Sequence, residues 1–181
     1  MIHAPWPAAV PLSSPRLALE PLQVSHATEA ATAFGDAALH QFTGGAPATE
    51  EQLRARYARQ VHGHSPDRTQ GWLNWMLRRH DTGELSGTVQ ATLTRTADNR
   101  ITAELAWIIA TSHHRQHLAK EAAAVVVAWL FQVGVADLVA HIHPHHLASA
   151  GVARHLGLHP TPVIVDGEVE WRLAPGPVEA A

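Results

Sequence analysis

The first regular alternation of apolar and polar positions falls at residues 16–22, RLALEPL, and predicts a strand, with Pro21 marking its end or an edge. Ser25 is placed to cap a helix over 26–35, and Gly44, Gly45 and Pro47 mark the loop after it. Thr49 with Gln52 has the form of a capping box, and Leu53, Tyr57 and Val61 then recur every four residues, which predicts a second helix over 50–62. The period now falls to two. Residues 72–79, 84–95 and 101–109 read as strands joined by the short Asp81-Thr82-Gly83 and Ala97-Asp98-Asn99 turns, an antiparallel meander. Helical spacing returns over 114–132, where Leu118, Ala122, Val125 and Trp129 form a stripe flanked by Val126 and Leu130. After Gly134, residues 137–143 predict a strand, 147–155 a short helix stopped near Gly157, and 163–165 and 168–173 a hairpin turning at Asp166-Gly167. The sum is an α/β mixed sheet with one strand-helix-strand crossover: one domain over 15–174, an N-terminal extension at 1–14 and a C-terminal tail at 175–181.

Composition narrows the function classes. With 181 residues, 46% hydrophobic and 16% charged, the chain suits one globular domain with a sizeable core rather than a disordered protein. Its 13 basic against 16 acidic residues give a net charge of -3, which offers no general basic surface and argues against nucleic acid as the main partner. The absence of cysteine excludes a disulfide framework, a thiolate nucleophile and cysteine-ligated metal. The opening 14 residues lack a basic start and are broken by prolines, unlike a secretory leader. The apolar run at 122–133 is shorter than the roughly 20 residues that cross a bilayer. The expectation is a soluble, cytoplasmic protein with no membrane partner, monomeric or homodimeric.

The order β-α-α-β-β-β-α-β-α-β-β acquires more meaning from four fragments inside it: AELAWII at 103–109, Lys120-Glu121-Ala122, Pro144 followed by Ala148-Ser149, and Gly157-Leu158. In that order they resemble the GNAT superfamily of N-acetyltransferases, and within it the branch of ribosomal-protein N-terminal acetyltransferases. The resemblance implies a mostly antiparallel sheet flanked by helices, its central parallel strands splayed around the cofactor. It implies acetyl-CoA as acyl-donor cosubstrate with no metal required. The acceptor would be an amine-bearing small molecule or a protein N-terminus, attacking directly in a ternary complex. A cofactor-binding protein with weakened catalysis is the alternative, because Arg115 and His117 stand where the family has glycines and Ala153 where many members have a tyrosine.

By the same resemblance, Ile109, Ala110, Thr111, His114, Arg115, Gln116, His117, Leu118, Ala119 and Lys120 wrap the coenzyme A pyrophosphate, whose charge suits backbone amides at a helix start. A backbone N–H near Ile109 or Ala110 would meet the oxyanion. His146, in place of a usual asparagine, and Ser149 would lie near the cofactor arm, with Ser149 aiding the departing thiolate; as a lone serine at a helix start it also reads as a cap. Glu104 is the candidate general base. Strand parity puts it on the face of Ala106 and Ile108, opposite Leu105, and a surface or structural carboxylate is the competing reading. Trp72, Trp75 and Trp107 are candidates to border the amine pocket, against core packing, which parity favours for Trp107. The run His141-Ile142-His143-Pro144-His145-His146 raises zinc binding, yet no HExxH pattern accompanies it, and no metal ligand is assigned.

Overall fold

The computed structural model describes residues 4–42 and 44–173, so the tail at 175–181 lies outside the described residues. Before the expected first strand comes a shorter one. Leu12–Ser13 (β1) pairs antiparallel with Leu17–Pro21 (β2), Leu12 opposite Leu19. Residues ahead of β1 are tied to the sheet as well: the Trp75 indole donates to the Val10 carbonyl at 2.8 Å, and the Arg95 guanidinium lies over the Trp6 ring at 4.6 Å.

The first helix, Ala27–Ala33 (α1), follows a 3-10 turn at Val24–His26, and Ser25 does not cap it. His26 closes that entry instead, its Nδ1 accepting from the Gln23 N–H at 3.0 Å. The second helix, Glu50–Gln60 (α2), has the expected reciprocal box: Thr49 Oγ1 accepts from the Gln52 N–H at 3.2 Å, and Gln52 Oε1 from the Thr49 N–H at 2.9 Å. Leu53 and Tyr57 on its inner stripe are buried with Ala27, Ala30 and Met76, which seats both helices on one face of the sheet.

The meander is β3 (Gly71–Arg79), β4 (Leu85–Arg95) and β5 (Ile101–Ile109). The helix Leu118–Gln132 (α3) crosses over to Val135–Ile142 (β6), Leu147–His155 (α4) follows, and Leu158–Val165 (β7) and Glu168–Leu173 (β8) form the hairpin. The eight strands run in the order β1-β2-β3-β4-β5-β6-β8-β7. Every neighbouring pair is antiparallel except β5 and β6. The mixed, mostly antiparallel sheet with one central parallel pair is therefore as expected. The hairpin strand β7 is longer than 163–165 because Pro160 and Pro162, poor residues for an interior strand, sit on the free edge of the sheet.

Opposite α1 and α2, the other face carries the main core. Leu118, Ala122, Val126 and Leu130 of α3 are fully buried there against Leu73, Trp75, Val89, Leu105 and Leu138, and each leucine so buried contributes about 1.5–3 kcal/mol. No described helix is long and apolar enough to cross a membrane.

The tightest backbone approach in the sheet is at Gly87, beside the end of β5. A Cβ there would lie 2.5 Å from the Ile108 carbonyl oxygen and 2.7 Å from Ile109 Cδ1. Gly87→Ala is expected to destabilise the fold by about 1–3 kcal/mol, as overpacking does, read from the denaturant midpoint. An unchanged midpoint would mean that the end of β5 moves aside freely.

Candidate active site

The parallel ladder between β5 and β6 is short. It runs from Ile101↔Val135 to Glu104↔Val139 and stops, so Leu105 to Ile109 of β5 have no β6 partner. The two strands fork there, and the loop after β5 leads into the start of α3 at the fork's mouth. Backbone groups inside a sheet need partners, so a fork of this kind has the character of a slot for an extended ligand. Ala110 does not offer its amide to it, because that N–H donates to the Ser86 carbonyl at 2.9 Å. Alternation along the ladder turns the Ile109 N–H the other way, toward the fork, and the Ile109 carbonyl accepts from His114 Nε2 at 2.8 Å.

Glu104 stands at the last paired position of β5, on the face away from α3 as parity required. Its carboxylate Oε1 is 2.9 Å from His141 Nδ1; the glutamate side chain is 53% exposed and the histidine 20%. A carboxylate can only accept, so the contact places a proton on Nδ1, and in the neutral tautomer Nε2 is the acceptor. His141 is two residues past Val139, the first position on that face of β6 beyond the last pairing. The sequence put His141 forward only as a metal candidate; nothing in the linear pattern says that β5 and β6 align in this register. Among the described residues, no three His, Asp or Glu side chains converge to hold a metal ion.

The loop ahead of α3 is where expectation and structure differ most. The helix begins at Leu118 rather than 114, because Arg115 and His117 both have left-handed backbones, with φ of 63° and 60°. These are the two positions where the family has glycine, so the turn that glycine permits is kept by residues that adopt it at a cost. His117 gives α3 no side-chain cap, and the first backbone bond of the helix is from the Glu121 N–H to the His117 carbonyl at 3.2 Å. The amides of Leu118, Ala119 and Lys120 therefore have no partner within the helix and point at its entrance. Glu121 would oppose an anion there, but Arg16 Nε donates to it at 2.7 Å and the Ser14 hydroxyl at 2.7 Å. Burial pushes the Glu121 carboxyl up, and the Ser14 and Arg16 hydrogen bonds outweigh it, so the group stays ionised and neutralised. Arg115 itself is exposed. Arg79, which sequence reasoning did not single out, reaches from β3 to donate to Gln116 Oε1 at 2.5 Å and pins the middle of the loop.

Beyond β6, His146 is the N-cap residue of α4 and is half-buried, its ring stacked on Phe42 at 4.4 Å between centroids. Phe42 also meets His143 at 5.4 Å, so the segment between α1 and α2 reaches the loop after β6. Ser149 is the third residue of α4, half-buried, and caps nothing. Of the three tryptophans, Trp72 lines a cavity of about 230 Å³ on the α2 face together with Arg56, Arg59, Gln60, Asn74, Gln90 and Thr92. Trp75 is a correction to the expected substrate wall: it is 0% exposed under α3, edge-on to Trp129 at 5.5 Å. Trp107 also lies on the α3 side, where its Nε1 is buried without a partner among the described residues.

The profile of the acetyltransferase (GNAT) domain family matches residues 16–159, and the chain belongs to that family. No curated protein sequence matches the chain. Among solved structures, an acetyltransferase from Agrobacterium tumefaciens superposes with a TM-score of 0.71 at 21% identity, covering 97% of this chain and 100% of that one. The ribosomal-protein-S5-alanine acetyltransferase from Vibrio fischeri gives 0.73 at 16% identity, covering 90% of this chain and 95% of that one. A ribosomal L7/L12 α-N-protein acetyltransferase in complex with coenzyme A gives 0.74 at 15%, covering 90% and 97%. At these identities the likeness is one of fold.

Two measurements test the local physics. Replacing His117 by glycine removes a left-handed penalty of about 1–2 kcal/mol against a glycine entropy loss of about 0.5–1 kcal/mol. A higher urea midpoint is expected, and a lower one would mean the turn is unstrained. Burial, followed by the charges of His143 and His114, holds the His146 imidazole below its usual value of 6.5. The unfolded chain then binds the proton more readily, so this contribution to stability is complete above that value and is lost as pH falls below it. His146→Asn should flatten the acid-side decline of the unfolding free energy; equal slopes in both proteins would remove His146 as its source.

Proposed function

We propose that the chain is an acetyl-CoA-dependent N-acetyltransferase that acetylates a primary amine by direct attack in a ternary complex, resembling the ribosomal-protein N-terminal acetyltransferases. The fork of β5 and β6 above the open amides of α3 carries this reading. Acetyl-CoA supplies an activated thioester and an anionic pyrophosphate. The residues present fit both: Leu118, Ala119 and Lys120 offer amides to the phosphates, with the side chains of Arg115 and Lys120 adding charge. Within the fork, the backbone groups of Leu105, Trp107 and Ile109 that β6 leaves unpaired offer hydrogen bonds to the arm. That Arg115 and His117 keep the glycine-like turn favours an intact cofactor site over a repurposed one.

The acceptor enters from the α1–α2 face, where Glu104, His141 and the Trp72 cavity lie. Glu104 and His141 together remove the amine proton as nitrogen attacks the thioester carbonyl, with the carboxylate orienting the ring and stabilising its charge. Holding amine and thioester in one fork supplies the proximity term, and the Ile109 N–H meets the oxyanion. Ser149, at the start of α4 and free of any capping role, aids departure of the thiolate. The acceptor is a protein N-terminus or a small amine.

The test is an amine screen read by mass spectrometry, scoring free coenzyme A together with acetylated product. In single turnover, Glu104→Gln should slow transfer by about 10²–10⁴-fold, the range of general-base catalysis, with partial recovery at high pH where the amine is already neutral. Ser149→Ala should cost about tenfold or less. A folded Glu104→Gln protein with an unchanged rate at every pH would sink the assignment.

A further inference from the structure

The arginines of this chain divide into two groups. Arg16, Arg54, Arg78, Arg79 and Arg172 each pair with a carboxylate. Arg56 and Arg59 of α2 belong to the other group, being exposed and without an ion pair among the described residues. Spaced three apart, they share a helix face, and both line the cavity of about 230 Å³ over Trp72, Asn74 and Thr92. Gln60 lines it too. In the ladder Thr92 stands directly opposite Glu104, so the cavity adjoins the branch point on the same face.

We propose that this cavity is an anion-reading subsite for the acceptor: it takes a primary amine whose own or next side chain carries a carboxylate, which Arg56 and Arg59 bind while the amine is directed to Glu104 and His141. The inference rests on the acetyl-transfer reading above and names its substrate class. The charge pattern is what selects it. The α2 end of the site is cationic, whereas the fork end carries Glu104; Glu170, opposite His141 in the β6–β8 ladder, is neutralised by Arg172 at 3.1 Å. A molecule with a carboxylate at one end and an amine at the other aligns with that field, whereas a polyamine is repelled at the α2 end. Guanidinium groups suit carboxylates because their planar donors can engage both oxygens. The volume is below the roughly 300–1,000 Å³ of pockets that enclose drug-sized ligands, which fits an amino acid or the first residues of an acidic peptide. Both sources share the same chemistry.

The experiment compares acetylation of L-glutamate with L-glutamine, and of the peptide Ala-Glu-Glu-Ala with Ala-Gln-Gln-Ala and Ala-Lys-Lys-Ala, by wild type and by an Arg56→Gln, Arg59→Gln double variant. The acidic member of at least one series should have a kcat/KM about tenfold above its amide counterpart, a difference of about 1.4 kcal/mol, and the series that responds identifies the source. The double variant should lose that preference through KM, its acidic-to-amide ratio of kcat/KM falling to about one. Equal or better use of the amide or lysine acceptors, or a preference that survives in the double variant, overturns the proposal and leaves acetyl transfer standing. Calorimetric titration with glutarate, without acetyl-CoA, reads the subsite alone: binding by wild type and not by the double variant is expected, and no binding by wild type overturns it. Arginine-dependent glutarate binding in a protein that acetylates no amine would instead overturn the acetyl-transfer reading and keep the anion site.

Discussion

The point at which β5 and β6 stop pairing governs everything else in the site. Four paired positions hold the strands together, and beyond them alternate residues of β5, namely Leu105, Trp107 and Ile109, turn unpaired backbone toward a gap inside the sheet. The sheet does not close that gap, because β5 is held along its full length by β4 on the other side while β6 is drawn toward β8 by its antiparallel pairing. Two antiparallel neighbours thus pull a parallel pair apart. The core beneath tolerates this because α3 packs against both strands with fully buried leucines.

Around the gap, the surrounding elements are fastened by polar contacts rather than by apolar area. Arg79 fixes Gln116, Arg16 and Ser14 fix Glu121, and His114 meets the end of β5. Asp36 joins the same set: its carboxyl is held below the usual value by the Ala38 N–H and then by the Thr111 hydroxyl, which links the α1–α2 segment to the loop before α3. Directional contacts of this kind hold backbone amides in place without filling the space in front of them, which apolar packing could not do.

The fold was readable because its signals are local and redundant. Period-two alternation located the meander, the Thr49–Gln52 box set the start of α2, and parity placed Glu104 on the correct face. Less was readable where a position's meaning depends on a distant one. His141 became the partner of Glu104 only through the parallel register, and Arg79 became a loop anchor only through a contact 37 residues away. Trp75 was misjudged because aromatic residues suit a pocket wall and a core equally; its neighbour Trp129, which decides the matter, lies far along the chain on the sheet-facing side of α3. The start of α3 was set too early because helical propensity does not reveal that Arg115 and His117 adopt left-handed backbones.

The placement of the hairpin has a further consequence. Because β8 slots in beside β6, β7 is left as an open rim, and Val163, Ile164 and Val165 on it are substantially exposed. An apolar rim strand with free amides is a template on which other chains can polymerise. Pro160 and Pro162 withdraw two of those amides, and the ladder is irregular between Pro160 and Ile164. The prolines thus act as a guard against fibre growth, at a sheet edge separated from the fork by β8. Their loss would show first as a failure of colloidal behaviour at high concentration, with the chemistry of the fork untouched.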